Sequence, residues 1–203
     1  MTNSETVVGR VLRASTRGFD CGTHSRNIRS HHDFGAFVKV PIANDDYIYS
    51  IGLIYKVEIK DDQLIAELVL GEAVPDSILR DQRENRLIPV EVKVLNVGYM
   101  AHGQMIHSMP PRPPMSLADV FLCSQDEIFQ FTQHNDFFRL VLGAAEVPSD
   151  DLIAAAIRGA ALVQVDQQVR YQFLVSCGQQ LARDLSNDLK RLAHILRLIR
   201  PVD

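Results

Sequence analysis

A chain of 203 residues with 46% hydrophobic side chains has ample material for a core, and a formal charge of -4 with 23% charged residues describes an ordinary surface. That balance excludes binding of nucleic acid or anionic lipid through global charge, so any polyanion contact has to be local. The opening residues MTNSETVVGR carry neither a cationic n-region nor an apolar h-region, and no later run approaches the ~20 apolar residues of a membrane helix, so a cytoplasmic protein without membrane insertion is expected.

The first half has the composition of strands. Thr6 to Leu12, Ala36 to Val40, Tyr47 to Ile59, Leu64 to Leu70 and Ile88 to Val97 are rich in Val, Ile and Tyr, which suit a pleated surface. The last of these alternates most clearly: Ile88, Val90, Val92 and Val94 are separated by Pro89, Glu91 and Lys93, which predicts one buried and one wet face. Lys60-Asp61-Asp62-Gln63 reads as a hairpin turn, and Gly52 inside the longest run predicts a bulge or tight bend. Short, closely spaced strands favour a small barrel, which closes without leaving edges. Asp76 to Arg86 is polar and reads as a short helix or a loop.

The second half follows a different period. The PPRPP run from Pro110 to Pro114 reads as a stiff spacer that orients a helical part against the barrel, because proline fixes φ and biases its predecessor to extended geometry. Ser124-Gln125-Asp126-Glu127 has the form of a capping box and predicts a helix start. Ser149-Asp150-Asp151 after Pro148 predicts a second, and a third helical segment is expected from about Asp166 to Ile199. Within that segment Leu185, Leu189, Leu192, Leu196 and Ile199 recur at 4, 3, 4 and 3 residues as one stripe. The expected class is α+β: a closed N-terminal barrel over 1–115, a proline-led connector with a short helix over 116–147, and a helical region over 148–203.

Familiar catalytic signatures are missing. The five lysines, Lys39, Lys56, Lys60, Lys93 and Lys190, follow Val, Tyr, Ile, Val and Leu, so none completes a phosphate-binding GK loop. No pair of glycines has the dinucleotide spacing, the one GxxxG run encloses Asp20 where a hydrolase elbow needs serine, and HExxH does not occur. Neither a cofactor nor a catalytic set is expected, and the three cysteines form no framework. One cluster has the donor types for a transition metal: Cys21, His24, His31, His32 and Asp33, in the stretch CGTHSRNIRSHHDFG. A metal-dependent enzyme built on it is the alternative to a binding protein, and a polar loop without metal is the plainer expectation. Lys190, Arg191, Arg197 and Arg200 make the end of the chain basic, which suits either a helix C-terminus or phosphate. Candidate partner contacts are Arg112 in the proline run and Leu192, Leu196, Arg197, Ile199 and Arg200 at the C-terminus, with Leu185 and Leu189 expected to pack inward.

VVGRVLRAST at the start, then FGAFVKV, YIYSIGLIYKV, and IPVEVKVLNVG followed by PPRPPMSLADVFLCSQDEI together resemble the HAS-barrel family, the N-terminal barrel of HerA-type ATPases and ATP synthase subunits. The resemblance covers about Val7 to Leu142. It implies a small barrel that serves ring assembly and the docking of partners, including the NurA-type nuclease of DNA end processing. Where such ATPases continue into a nucleotide-binding domain, this chain continues into roughly sixty mostly helical residues. A free-standing, non-catalytic barrel with a protein partner, a HerA-like ATPase or a nuclease, is therefore the expectation. Self-assembly into a homo-oligomer and a ligand-binding or nucleic-acid-binding barrel are its variants.

Overall fold

The computed structural model describes residues 6–42, 45–60, 75 and 88–200. The expected strand Leu64 to Leu70, the stretch Asp76 to Arg86 and most of the turn after Lys60 lie outside the described residues. Among the described residues the strands are β1 (Val7–Ala14), β2 (Gly18–His24), β3 (Phe37–Ile42), β4 (Asp45–Ile59), β5 (Pro89–Ala101), β6 (Gln104–Ile106) and β7 (Asp119–Leu122). They hydrogen-bond in the order β2-β1-β7-β3-β4-β5, every pair antiparallel, and β2 pairs again with β5. That last ladder closes a six-stranded barrel and leaves no free edge in the ring. The short β6 extends the sheet from β5 as a hairpin.

Alternation along the strands fills the barrel. Val90, Val92 and Val94 of β5 lie inside, as their spacing predicts, with Val8, Val11, Phe19, Cys21, Val38, Val40, Ile54 and Val120. The outward side of β3, β4 and β5 is apolar too: Phe37, Ile51, Leu53, Leu95 and Val97 belong to a second cluster shared with the helices. The wet face expected for β5 therefore exists neither there nor at Glu91, which is 5% exposed. Gly52 sits at a register shift, as expected, and a Cβ there would collide with Val94 and approach the Leu95 carbonyl.

Two strands escape local reading. The segment Gly18–His24 holds two glycines and several polar residues, yet β1 and β5 pair with its two edges and hold it extended. Asp119–Leu122 has only four residues, but it fills the gap between β1 and β3. Its position corrects the expected role of the prolines. PPRPP joins β6 to β7, two parts of the same sheet, rather than the barrel to the helices. Pro110 and Pro114 are buried, and Pro114 bridges to Ile42, so the run is a strap across the barrel. The strand that completes the ring thus lies past residue 115, where the barrel was expected to end.

Beyond β7 come α1 (Gln125–Phe131), α2 (Phe138–Leu142), α3 (Ser149–Leu162), α4 (Gln167–Asp184) and α5 (Leu189–Leu198). The capping box at α1 is formed: Glu127 N donates to Ser124 Oγ at 3.2 Å and Ser124 N to Glu127 Oε2 at 2.8 Å. α3 is the central helix, burying Leu152, Ile153, Ala154, Ala156, Ile157, Ala160 and Ala161. Gly35, at φ +86°, lets the barrel approach α3 where any Cβ would strike Ala155. The segment expected as one helix from Asp166 to Ile199 is two, because Asp188 accepts from Arg191 N at 3.0 Å and starts a new helix. The break shifts the phase of the leucine stripe, leaving Leu185 buried and Leu189 69% exposed.

Burial of an unpaired carboxylate sets the first prediction. Val92→Asp should lower stability by several kcal/mol, while Gln104→Glu on the exposed β6 should stay within about 0.5 kcal/mol, as measured by urea denaturation. Equal and small losses would refute the assignment of Val92 to the barrel interior.

Candidate functional site

The donors named for a metal are not gathered. Cys21 lies wholly buried among the aliphatic residues of the barrel, where burial first and Asp20 second push its thiol up to about 12. His32 is held by both ring nitrogens: Arg29 N donates to Nδ1 at 3.3 Å, so Nε2 carries the proton and donates it to the Val8 carbonyl at 2.8 Å. His31 lies against it with ring centroids 4.3 Å apart, and burial, then His32, lowers its pKa. His24 ends β2 and Asp33 follows a short 3-10 turn, both exposed. Among the described residues no three His, Cys, Asp or Glu side chains converge to hold a metal ion. The expected polar loop is half strand and half a pair of 3-10 turns pinned to β1 by His32.

Three other features have the geometry of sites. On the outer wall of β1, β2 and β5, Glu91 is surrounded by cations: Arg13 bonds it closely, Lys60 lies at 2.8 Å and Lys93 at 3.6 Å. Arg13 also pairs with Asp20. Sequence reading placed Glu91 on a wet face, and the signal it missed is that a strand shared by two ladders collects charged neighbours from both. Beside this network a cavity of about 280 Å³ is lined by Arg13, Arg17, Asp20, Tyr55 and Glu146. Buried Asn96 ties the β1–β2 turn to β4: its amide nitrogen donates to the Thr16 carbonyl at 2.9 Å and its carbonyl oxygen accepts from Ser50 at 2.9 Å.

A second cavity, of about 430 Å³, opens where β6 meets α1 and α2, lined by His107, Phe131, His134, Asp136 and Arg139 among others. His107 donates from Nε2 to the Phe131 carbonyl at 2.8 Å, a strut between hairpin and helix, and burial lowers its pKa. Arg139 donates to the His107 carbonyl at 2.7 Å and closes the same corner.

The third feature is the barrel wall that the helices leave uncovered. The helical layer packs on β3, β4 and β5, whereas β1 and β2 contribute nothing to that cluster. On the open side Leu12, Met115 and Leu117 are 52%, 54% and 72% exposed. Leu117 N donates to the Val11 carbonyl at 2.8 Å, and Val11 N to the Ala118 carbonyl at 3.0 Å, which sets these side chains on adjoining backbone. Leu117 has φ +65°, a left-handed conformation that costs a leucine about 1–2 kcal/mol. A mostly apolar groove of about 310 Å³ continues past Leu12 along Gly22, Thr23 and Pro89.

The C-terminal candidates divide differently from expectation. Ile199 is 6% exposed, and Leu192 and Leu196 pack against the core, so these three are not an overhanging contact surface. The phase shift at Asp188 turns them inward and Leu189 outward. Arg112, Arg197 and Arg200 are exposed. Among the described residues no helix is long and apolar enough to cross a membrane. No protein-family model and no curated protein matches the chain.

The Glu91 network generates a pH prediction. Hydrogen bonding from Lys60, reinforced by Arg13, holds the Glu91 carboxyl below its ordinary value of 4.5. A depressed folded pKa contributes stability that is present above the unfolded value and is lost as pH falls through the folded one. Wild type should therefore lose stability as pH drops below about 4.5, and Glu91→Gln should be less stable at pH 7, with the gap narrowing from there to pH 3. Parallel urea titrations at both pH values test this, and a constant gap between the two proteins would exclude it.

Proposed function

We propose that the chain is a non-catalytic, cytoplasmic assembly module of the HAS-barrel kind, which docks a protein partner on the β1–β7 side of its barrel. A HerA-like ATPase or a NurA-like nuclease of DNA processing is the partner class that the sequence resemblance suggests. The observation that carries the reading is the asymmetry of the barrel: helices cover one wall, and the other presents Leu12, Met115 and Leu117 to solvent. Isolated exposed apolar side chains are ordinary, but three on adjoining backbone beside an apolar groove form a patch of the kind that partners cover. The strained φ of Leu117 supports the same reading, because strain of this sort persists where the surroundings enforce it and collects at binding sites. The barrel interior supports it as well, since close-packed Val, Ile, Phe and Cys leave the lumen to the core.

The test mixes the purified chain with the HerA-like ATPase and the NurA-like nuclease of the same organism and follows complex formation by light scattering. Association with one of them is expected, reduced at least tenfold by Leu117→Asp and by Leu12→Asp. Leu117→Gly relieves the backbone and should leave stability unchanged or raise it by up to about 1 kcal/mol while weakening the complex. Association that both aspartate variants leave untouched would overturn the assigned face, and absence of any complex or self-assembly would overturn the function.

A further inference from the structure

The last helix carries a charged face that the partner-docking reading does not use. α5, LKRLAHILRL, contains no acidic residue, and its apolar side turns inward through Leu192, Ile195, Leu196 and the following Ile199. Its solvent side is Leu189, Lys190, Ala193, His194 and Arg197, followed by Arg200, all exposed. At 1.5 Å rise per residue the cationic ridge from Lys190 to Arg200 is about 15 Å long. Two neighbouring acids are already engaged: Asp150 is paired with Arg191, and Asp188 caps the helix by accepting from Arg191 N. A further cation joins from α3, where Arg158 donates to the Leu198 carbonyl at 2.7 Å and adds its guanidinium to Arg197 and Arg200 at the helix end.

Cations at a helix C-terminus complement its dipole, which accounts for Arg197 and Arg158 but not for Lys190 in the first turn, where a positive charge is unfavourable. A ridge of cations over two to three turns matches instead a row of phosphates spaced several ångströms apart along one strand. We propose that this face of α5 binds the phosphate backbone of a nucleic acid, without reading its bases. The ridge bears no Phe, Tyr or Trp to serve as a stacking platform; its one ring is His194, beside the small Ala193, so contact with phosphates through the lysine and arginines carries the binding. A strand is favoured over a lipid surface because the chain is net negative at -4, so a membrane plane would meet the acidic remainder of the protein, whereas a strand need touch only the ridge. The same net charge keeps binding local and salt-sensitive.

The experiment measures fluorescence anisotropy of a labelled 20-nucleotide single strand and of a 20-base-pair duplex against salt, with phosphatidylserine vesicles as a separate arm. Three to four neutralised phosphates predict a log–log salt slope of about -2 to -3 on the single strand. Lys190→Glu with Arg197→Glu should weaken binding more than tenfold at low salt and flatten the slope, whereas Arg26→Glu, an exposed cation in the turn after β2, should change it less than twofold. Thermal melts establish that the double variant is folded; if it melts early, Arg197→Ala with Arg200→Ala is compared instead. Leu117→Asp should bind oligonucleotide normally, so failure of the partner face and failure of this one are told apart. A slope near zero, equal binding by the double variant, or tighter binding to vesicles than to either oligonucleotide would overturn the proposal.

Discussion

Three neighbouring strands of the barrel have to bury both faces, and the architecture follows from that constraint. Along β3 the residues alternate Phe37 out, Val38 in, Lys39 out, Val40 in; along β5, Val92 and Val94 point in while Leu95 and Val97 point out. A small barrel with apolar residues on part of its outer wall exposes that wall to water unless another layer covers it. Phe131, Phe137, Phe138 and the buried side of α3 supply the cover, with aromatic centroids 4.9 to 6.1 Å apart among Phe37, Phe131, Phe137 and Phe138. The outer barrel wall and the helices therefore share one core, which lies beside the barrel's own interior cluster.

One polar contact sits inside that seam. Lys39, 8% exposed and directed outward on β3, lies with its Nζ 2.7 Å from Glu127 Oε1 and 5.4 Å from the centre of the Tyr49 ring. Glu127 is also the returning member of the capping box, so a single carboxylate caps the start of α1 and anchors it to the barrel. Replacing such a pair with apolar residues is often neutral in energy, whereas removing one member leaves a buried charge uncompensated. Its contribution is one of register: it fixes where the first helix begins on the wall, and the helices after it inherit that origin.

The same asymmetry links structure to the functional readings. Because the helices occupy β3 to β5, they leave the β1–β7 side uncovered among the described residues, and the proline strap delivers Met115 and Leu117 to it on the way into the last barrel strand. Rigid φ angles at the prolines reduce the freedom that this crossing has to give up, which suits a connection that spans the barrel without secondary structure of its own. On the other layer, α5 meets the core with Leu192, Ile195 and Leu196 and so turns Lys190 and Arg197 outward. The apolar patch and the cationic ridge thus arise from separate elements.

Local signals in the sequence were enough for the α+β class, for the alternating interior of β5, for the bulge at Gly52 and for the starts of α1 and α3. Each depends on residues within a few positions of one another: a period of two, a glycine, a capping serine, or aspartates in the turn that follows a proline. Pairing across the chain decided the rest. β2 is a strand because β1 and β5 flank a stretch whose own composition reads as a loop, and β7 is one because a gap between β1 and β3 requires four residues from beyond the prolines. The metal candidates dispersed for the same reason, since closing the ring turned Cys21 inward and gave both nitrogens of His32 to the backbone. The leucine stripe split at Asp188, where a local cap outweighed a heptad-like spacing and reversed which side of the helix faces water. Composition and short-range spacing determine which elements this chain can form, while the exposed faces depend on which partner surface each element finds, a long-range property that periodicity does not encode.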